Sequence, residues 1–229
     1  MATFLDYKEN NGQFNMDTDF HILKSAINSK EKEPVIRLYG WKPKCVSVGR
    51  NQSFEHINMK YCNYNNIDIV RRITGGRGLL HDNEITYSFV CPVKFLQSGE
   101  SVISSYKEIS NAIIKGFKIL GVNLCIGGNK KHKTSFDYCM SLSTGADLCY
   151  RDKKIIGSAQ YRTQDYLLQH GSILFSYNTE TIENIFNEKV NPESITTINE
   201  INNNISKKDV IECLKRGFQE YFSLFFSKI

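Results

Sequence analysis

The residues best suited to chemistry stand in three places along a chain of 229 residues. The first is the stretch 71–88, Arg-Arg-Ile-Thr-Gly-Gly-Arg-Gly-Leu-Leu-His-Asp-Asn-Glu-Ile-Thr-Tyr-Ser. Gly75, Gly76 and Gly78 leave a backbone with little side-chain cover, able to adopt positive φ and to bring its N–H groups within touching distance of a ligand. Arg71, Arg72, Arg77 and His81 add donors for a carboxylate, a phosphate or a thioester carbonyl. The plainer reading of the same residues is a tight glycine turn with surface arginines. Neither common glycine-rich phosphate motif fits, because no Lys-Ser/Thr follows the glycines and no G-x-G-x-x-G is present. The second place is Lys154, at the start of an apolar strand and followed by Gly157, Ser158 and Ala159, which leave room for an ammonium in a cleft. On chemistry alone, a surface lysine is the plainer reading. The third is Cys139, one of seven cysteines, and a free cysteine is more often a small buried hydrophobe than a nucleophile.

Residues 71–88 closely resemble the R-R-x-T/S-G-G-x-x-x-x-H-D signature of the lipoate–protein ligase A and octanoyltransferase family, with Arg72, Thr74, Gly75, Gly76, His81 and Asp82 in place. The resemblance implies a loop that wraps an acyl chain or acyl-adenylate. It implies substrate-binding roles for Arg72, Thr74, Gly75, Gly76, Arg77, Gly78 and His81. An Arg after the double glycine, where a third Gly could stand, resembles the LipM-type octanoyltransferase branch more than the ATP-using ligases. Residues 154–160 (KIIGSAQ) and 168–174 (LQHGSIL) match the family's K-x-x-G-S-A-Q and L-Q-H-G-S/T-L elements. That match implies that Lys154 faces the acyl carbonyl, with Gly157, Ser158, Ala159, Gln169, His170 and Gly171 lining the same pocket.

The LipM-type branch carries a cysteine fifteen residues before that lysine, in a C-F-x-x-P-S-x-x-(E/D)-L stretch. Cys139 stands at that distance from Lys154, and Asp147-Leu148 falls at the acidic pair; Met140 replaces the usual aromatic, and Leu142-Ser143 replaces Pro-Ser. The resemblance makes Cys139 the thioester-forming nucleophile and Lys154 its catalytic partner. Such a pair is chemically coherent, since the thiolate is the reactive form and a nearby ammonium favours it. A donor that is already a thioester needs no ATP, so neither cofactor nor metal is expected; a ligase would need ATP and Mg.

The elements that must hold these residues read as an α+β fold. The run 67–70 is a β-branched strand before the glycine loop, and 86–90 is a second strand after it. Residues 13–29 form a helix with Met16, Phe20, Leu23 and Ile27 on one face; its opening, Asn15-Met16-Asp17, resembles the N-M-A-x-D/E start of the family's first helix, or is a plain helix with a solvated acidic edge. Strands follow at 35–41 and 45–48, resembling the family's L-R-F/Y-x-W-x-P-P-x-V-S-L-G-x-x-Q element, which leaves the single Trp41 as core or as pocket wall. A helix at 105–120 takes Ser105 and Glu108 as a capping box and ends before Gly121. A hairpin joins 148–150 to 154–159 at residues 151–153, and a strand at 166–175 is interrupted by Gly171. Ser206 to Asp209 cap a last amphipathic helix carrying Val210, Cys213, Leu214, Phe218 and Phe222. Strands in hairpin-like runs favour antiparallel or mixed sheets with packed helices over a doubly wound sheet. The resemblance implies the lipoate/biotin-ligase-like catalytic domain.

Composition sets the outer limits. No Pro/Gly/Ser-rich linker or repeat divides the chain, so 1–229 reads as a single domain. No run approaches the roughly 20 apolar residues of a membrane span, and no signal peptide is evident at the start. Seven scattered cysteines without a C-x-x-C pair argue against a disulfide framework or a zinc site and for a reducing, cytoplasmic setting. A net charge of +5 without a basic stripe interleaved with aromatics does not suggest nucleic acid. It suits an acidic protein partner. Lys130, Lys131 and Lys133, six to nine residues before Cys139, read as a solvated loop or as a docking patch.

Together these readings lead to an enzyme that moves an octanoyl group from octanoyl-acyl carrier protein to a lysine of a lipoyl-domain protein such as the glycine-cleavage H protein. The alternatives are an ATP-dependent lipoate–protein ligase, with Cys139 incidental, an amidotransferase between lipoyl domains, and a non-catalytic acyl-carrier-binding module. The short stretch after Ile201 favours a transferase over a ligase with an accessory domain. Biotin ligase fits less well, because no G-R-G-R-x-G-R loop is present.

Overall fold

The computed structural model describes residues 2–128, 138–141 and 147–226. Its strands are β1 (Thr3–Asn10), β2 (Val35–Trp41), β3 (Cys45–Val48), β4 (Asp68–Arg71), β5 (Leu79–His81), β6 (Glu84–Pro92), β7 (Cys125–Ile126), β8 (Leu148–Tyr150), β9 (Lys153–Arg162) and β10 (Tyr166–Leu174). The helices are α1 (Gly12–Ser29), α2 (Met59–Tyr64), α3 (Val102–Ile119), α4 (Thr179–Phe186), α5 (Ile198–Ile201) and α6 (Lys207–Phe222). Seven strands make one sheet in the order β1-β2-β6-β10-β9-β8-β7, and β4-β3-β5 make a second. Both sheets are mixed: β1–β2 and β3–β4 run parallel, and the remaining pairs antiparallel. The expected α+β class with packed helices is what the chain forms.

Period-two alternation gives the large sheet two unlike faces. One carries Ile36, Leu38, Ile85, Tyr87, Phe89, Leu167 and Ile173, packed under Ile109, Ile113 and Phe117 of α3 and Val210, Leu214 and Phe218 of α6. The helices meet at two glycines. A Cβ on Gly116 would lie 2.4 Å from the Cys213 carbonyl oxygen, and one on Gly217 would lie 2.4 Å from that of Ala112. The other face carries Arg37, Tyr39, Thr86, Ser88, His170 and Ser172, all buried. It is covered by α1, which packs on strands of both sheets. The small sheet has its own core with α2 and α4, built from Val46, Val48, Leu80, Cys62, Ile182 and Phe186.

Several elements differ from their expected form. Helix α3 begins a turn earlier than expected: Ser101 and Ser104 form the capping box. Ser105 lies inside the helix, and the buried Glu108 accepts the N–H groups of Gln97 and Ser98. The buried side of α1 is Asn15, Met16, Asp19, Leu23 and Ala26. Phe20 and Ile27 of the expected stripe are exposed, because a buried ion pair turns the helix polar-side inward. Gly171 does not interrupt β10, which pairs without a break from Tyr166 to Leu174. There, a Cβ at Gly171 would sit 2.6 Å from the Ser158 hydroxyl and 2.7 Å from the Tyr87 ring. The β8–β9 hairpin turns at Arg151 and Asp152, both at positive φ, as a type I′ turn requires.

Candidate active site

Strand β4 delivers Arg71 and Arg72 to the foot of the glycine loop, and neither arginine presents its guanidinium simply as a ligand donor. Arg71 Nη1 donates to the carbonyls of Gly49, Arg50 and Gln52, so it braces the neighbouring loop. Arg72, buried, donates to the Ser47 carbonyl and hydroxyl and to the Gly75 and Arg77 carbonyls at 2.7–3.1 Å. A guanidinium is a fixed fork of donors without an acceptor, and here it gathers carbonyls that would otherwise point at one another. Gly76 takes φ +91°, and a Cβ on Gly49 would fall 1.9 Å from the Gly76 oxygen. Two glycines therefore allow two loops to touch backbone to backbone.

Beneath this loop lies a small cavity of about 40 Å³. Its wall includes Met16, Trp41, Arg72, Gly76, His81, Cys139, Gly157, Ser158, Ala159, His170 and Gly171. Trp41 is therefore both core and pocket wall. It stacks on His81 with ring centroids 3.9 Å apart and donates from Nε1 to the Thr86 hydroxyl at 2.8 Å. His81 is bound on both ring nitrogens, to Ser47 Oγ at 2.8 Å and Ser172 Oγ at 3.2 Å, with Glu84 3.6 Å away. Burial holds the His81 pKa below the ordinary value against the pull of Glu84, so the ring is neutral.

A second buried network stands on the other side. His170 contacts Thr74 Oγ1 through Nε2 at 2.7 Å and Asp19 Oδ2 through Nδ1 at 3.2 Å. The same Asp19 oxygen accepts the Tyr39 hydroxyl at 2.8 Å, and Oδ1 pairs with Arg37 at 2.9 Å. Arg37 also donates to the Asn15 side chain at 2.6 Å. Burial alone would raise the Asp19 pKa, but His170, Arg37 and Tyr39 outweigh it and hold the carboxyl below its usual range. Asn15, Asp19, Arg37 and Tyr39 were not singled out as site residues. The signal available for them is their spacing, i and i+4 on a helix and i and i+2 on a strand, which puts each pair on one side.

At the mouth, the 138–141 segment is tied to the glycine loop: Cys139 N–H donates to the Gly78 carbonyl at 2.7 Å. Lys154 is 1% exposed. Its Nζ lies 2.9 Å from the Cys139 carbonyl, 3.1 Å from Asp147 Oδ2 and 3.8 Å from Cys139 Sγ. Its alkyl chain runs over Gly157, where a Cβ would meet Lys154 Cε at 3.2 Å. Burial opposes the ammonium, yet Cys139 and Asp147 overcome it and raise the Lys154 pKa above the ordinary lysine value. Lys154 is therefore charged at neutral pH and is not a surface lysine.

Five of the residues expected to bind substrate, Thr74, Gly75, Arg77, Gly78 and Gln169, stand back from the cavity. Thr74 is wholly buried behind His170, and the Gly75 and Arg77 carbonyls are turned onto Arg72. Gln169 faces the opposite side of the sheet, bonded to the Tyr87 hydroxyl and Gln160, because β10 alternates and His170 has taken the cavity side. Lys130, Lys131 and Lys133 lie outside the described residues. No cluster of three or more His, Cys, Asp or Glu able to hold a metal occurs among the described residues. None of the described helices is long and apolar enough to cross a membrane.

The chain is similar to known proteins over most of its length. The octanoyltransferase LipM of Macrococcus caseolyticus is 37% identical over 191 residues, spanning 80% of this chain and 69% of that protein. Its counterpart in Clostridioides difficile is 33% identical, over 96% of this chain and 86% of that one. Among solved structures, a lipoate–protein ligase A bound with ATP superposes over 100% of this chain and 87% of its own, with a TM-score of 0.79 at 21% identity. A bipartite lipoate–protein ligase from Thermoplasma acidophilum matches 99% of this chain and 87% of its own, at a TM-score of 0.74 and 19% identity. The model of the lipoyl protein ligase A/B catalytic domain matches residues 11–219. With the glycine loop, the lysine strand and the cavity between them all in that frame, the chain belongs to the lipoyl protein ligase A/B catalytic domain family.

Proposed function

We propose that this chain, an octanoyltransferase of lipoate biosynthesis, works through a thioester on Cys139. The observation that carries the reading is the Lys154 ammonium 3.8 Å from Cys139 Sγ, which lies on the wall of the cavity. The Cys139 thiolate attacks the carbonyl carbon of an octanoyl thioester. The C–S bond to the donor breaks, and the donor leaves as a thiolate that takes a proton. In the second half, the neutral amine of an acceptor lysine attacks the Cys139 thioester. An amide forms, the amine proton is lost to solvent or a base, and the Cys139 thiolate is regenerated. Lys154 supplies a fixed positive charge beside the sulfur in both halves, and Asp147 holds it there. The octanoyl tail lies under the glycine loop against Trp41, His81 and His170.

The donor in this reading is octanoyl-acyl carrier protein. The acceptor is a lipoyl-domain protein, with the glycine-cleavage H protein as the specific candidate, and Lys130, Lys131 and Lys133 are offered to the acidic donor. No ATP, metal or other cofactor takes part, because the donor thioester is already activated. The test is intact mass after mixing with octanoyl-acyl carrier protein alone. One octanoyl group should be added, released by hydroxylamine and absent from Cys139→Ala. Labelling that needs ATP, or that persists in Cys139→Ala, would overturn the thioester route.

A further inference from the structure

The Asp19–His170–Thr74 row has the connectivity of a nucleophilic triad, yet it cannot act as one. The Thr74 hydroxyl is fully buried and sits behind the imidazole, away from the cavity. A different role follows from what each member touches. His170 forms part of the cavity wall. An ionised carboxylate only accepts hydrogen bonds, so His170 donates from Nδ1 to Asp19, while its Nε2 is hydrogen-bonded to the Thr74 hydroxyl. The Thr74 carbonyl in turn accepts the Arg50 N–H at 2.9 Å. Arg50 is the second residue of the loop, after the Gly49 that lies against Gly76, and its guanidinium stands 5.6 Å from the Tyr161 ring centroid. A continuous line of contacts therefore runs from the cavity wall to the 49–52 loop.

We propose that His170 is a positioning residue that transmits the filling of the acyl cavity, through Thr74, to the glycine loop and the 49–52 loop, so that an occupied enzyme presents an ordered mouth. The proposal rests on the reading of the cavity as the acyl site. Methylenes packed against the imidazole fix the ring; the fixed ring fixes the Thr74 hydroxyl; and Thr74 is the residue whose carbonyl holds Arg50. A ligand shifts a conformational equilibrium only by its differential affinity for the two states. The hydroxyl is the link through which that difference reaches the loop.

The experiment uses the full chain and octanoate as probe. Amide hydrogen exchange of peptides covering 49–52 and 74–78 should slow by about fivefold or more when octanoate is bound, because local opening of these loops sets their exchange. Thr74→Val keeps the shape and removes the hydroxyl. It should abolish this response and raise KM for the octanoyl donor roughly tenfold, the scale on which a buried group loses its partner, with kcat within about twofold. Thr74→Ser should restore both, which a purely space-filling role would not predict. Loop protection in Thr74→Val equal to wild type, or failure of Thr74→Ser to restore it, would overturn the coupling. Octanoate that binds wild type without slowing exchange at 49–52 would overturn it too, whether or not the Val variant folds. Absence of octanoate binding to wild type would instead remove the acyl reading of the cavity, and the coupling with it.

Discussion

His81 and Asp19 are both buried ionisable groups, and they make opposite use of burial. Burial lowers the His81 pKa from the ordinary histidine value of 6.5. The unfolded chain therefore binds a proton that the folded one refuses as pH falls below 6.5, and stability declines through that window. The contribution of Asp19 has a different range. Its folded pKa lies below the ordinary 3.8, so its stabilisation is full above that value and is lost only as pH falls through the lower one. Urea melts between pH 7 and 4 should show the His81 slope, approaching about 1.4 kcal/mol per pH unit at its steepest. His81→Asn should flatten it, whereas Asp19→Asn should leave it in place. At this scale the sequence was informative about Cys139 and Lys154, whose spacing carried the resemblance. It was uninformative about Arg71 and Arg72, because which carbonyls a guanidinium gathers depends on the path of a loop that no residue pattern encodes.

The α3–α6 crossing shows how an element can be legible while its contacts are not. Both helices were readable from their apolar stripes, and the cap of α6 at Ser206 and Asp209 was placed correctly. The cap of α3 was not: Ser101/Ser104 and Ser105/Glu108 are both plausible starts, and only the buried acceptor role of Glu108 separates them. Gly116 and Gly217 had no local signature at all, since their need for bare backbone arises from a helix distant in sequence. This makes an opposed prediction. Helix propensity alone favours Gly217→Ala by about 1 kcal/mol, but the new Cβ would meet the Ala112 oxygen at 2.4 Å and Gly116 at 2.7 Å. Overpacking of that kind costs about 1–3 kcal/mol. Gly217→Ala should therefore lower Tm in a thermal melt, with octanoyl transfer at 25 °C unchanged because the crossing lies on the far side of the sheet from the cavity. A raised Tm would mean the helices part freely.

For the whole molecule, the two faces of one sheet divide the work. Tyr87 and Phe89 lie with the helices, while Thr86 lines the cavity on the opposite face, which Ser88 shares. The α+β class was legible because hairpin-like strand runs constrain it. The split into two sheets was not, since β2 and β3 are separated by only three residues yet belong to different sheets. The polar side chains around the cavity satisfy much of their hydrogen-bonding capacity among themselves, which leaves a largely carbon-faced wall. Each buried methylene is worth about 0.8 kcal/mol. Eight-carbon donors should thus exceed six-carbon ones by about 1.6 kcal/mol, or roughly fifteenfold in kcat/KM. A flat response across acyl lengths would show that the tail is not enclosed. The bond from the Cys139 N–H to the Gly78 carbonyl, with Tyr138 bridged to the same glycine, has a mechanical consequence. Sulfur and glycine loop are tied backbone to backbone, so any displacement of the loop at Gly78 would carry the sulfur with it. Exposure of the Cys139 sulfur to water and the position of the glycine loop are thereby linked.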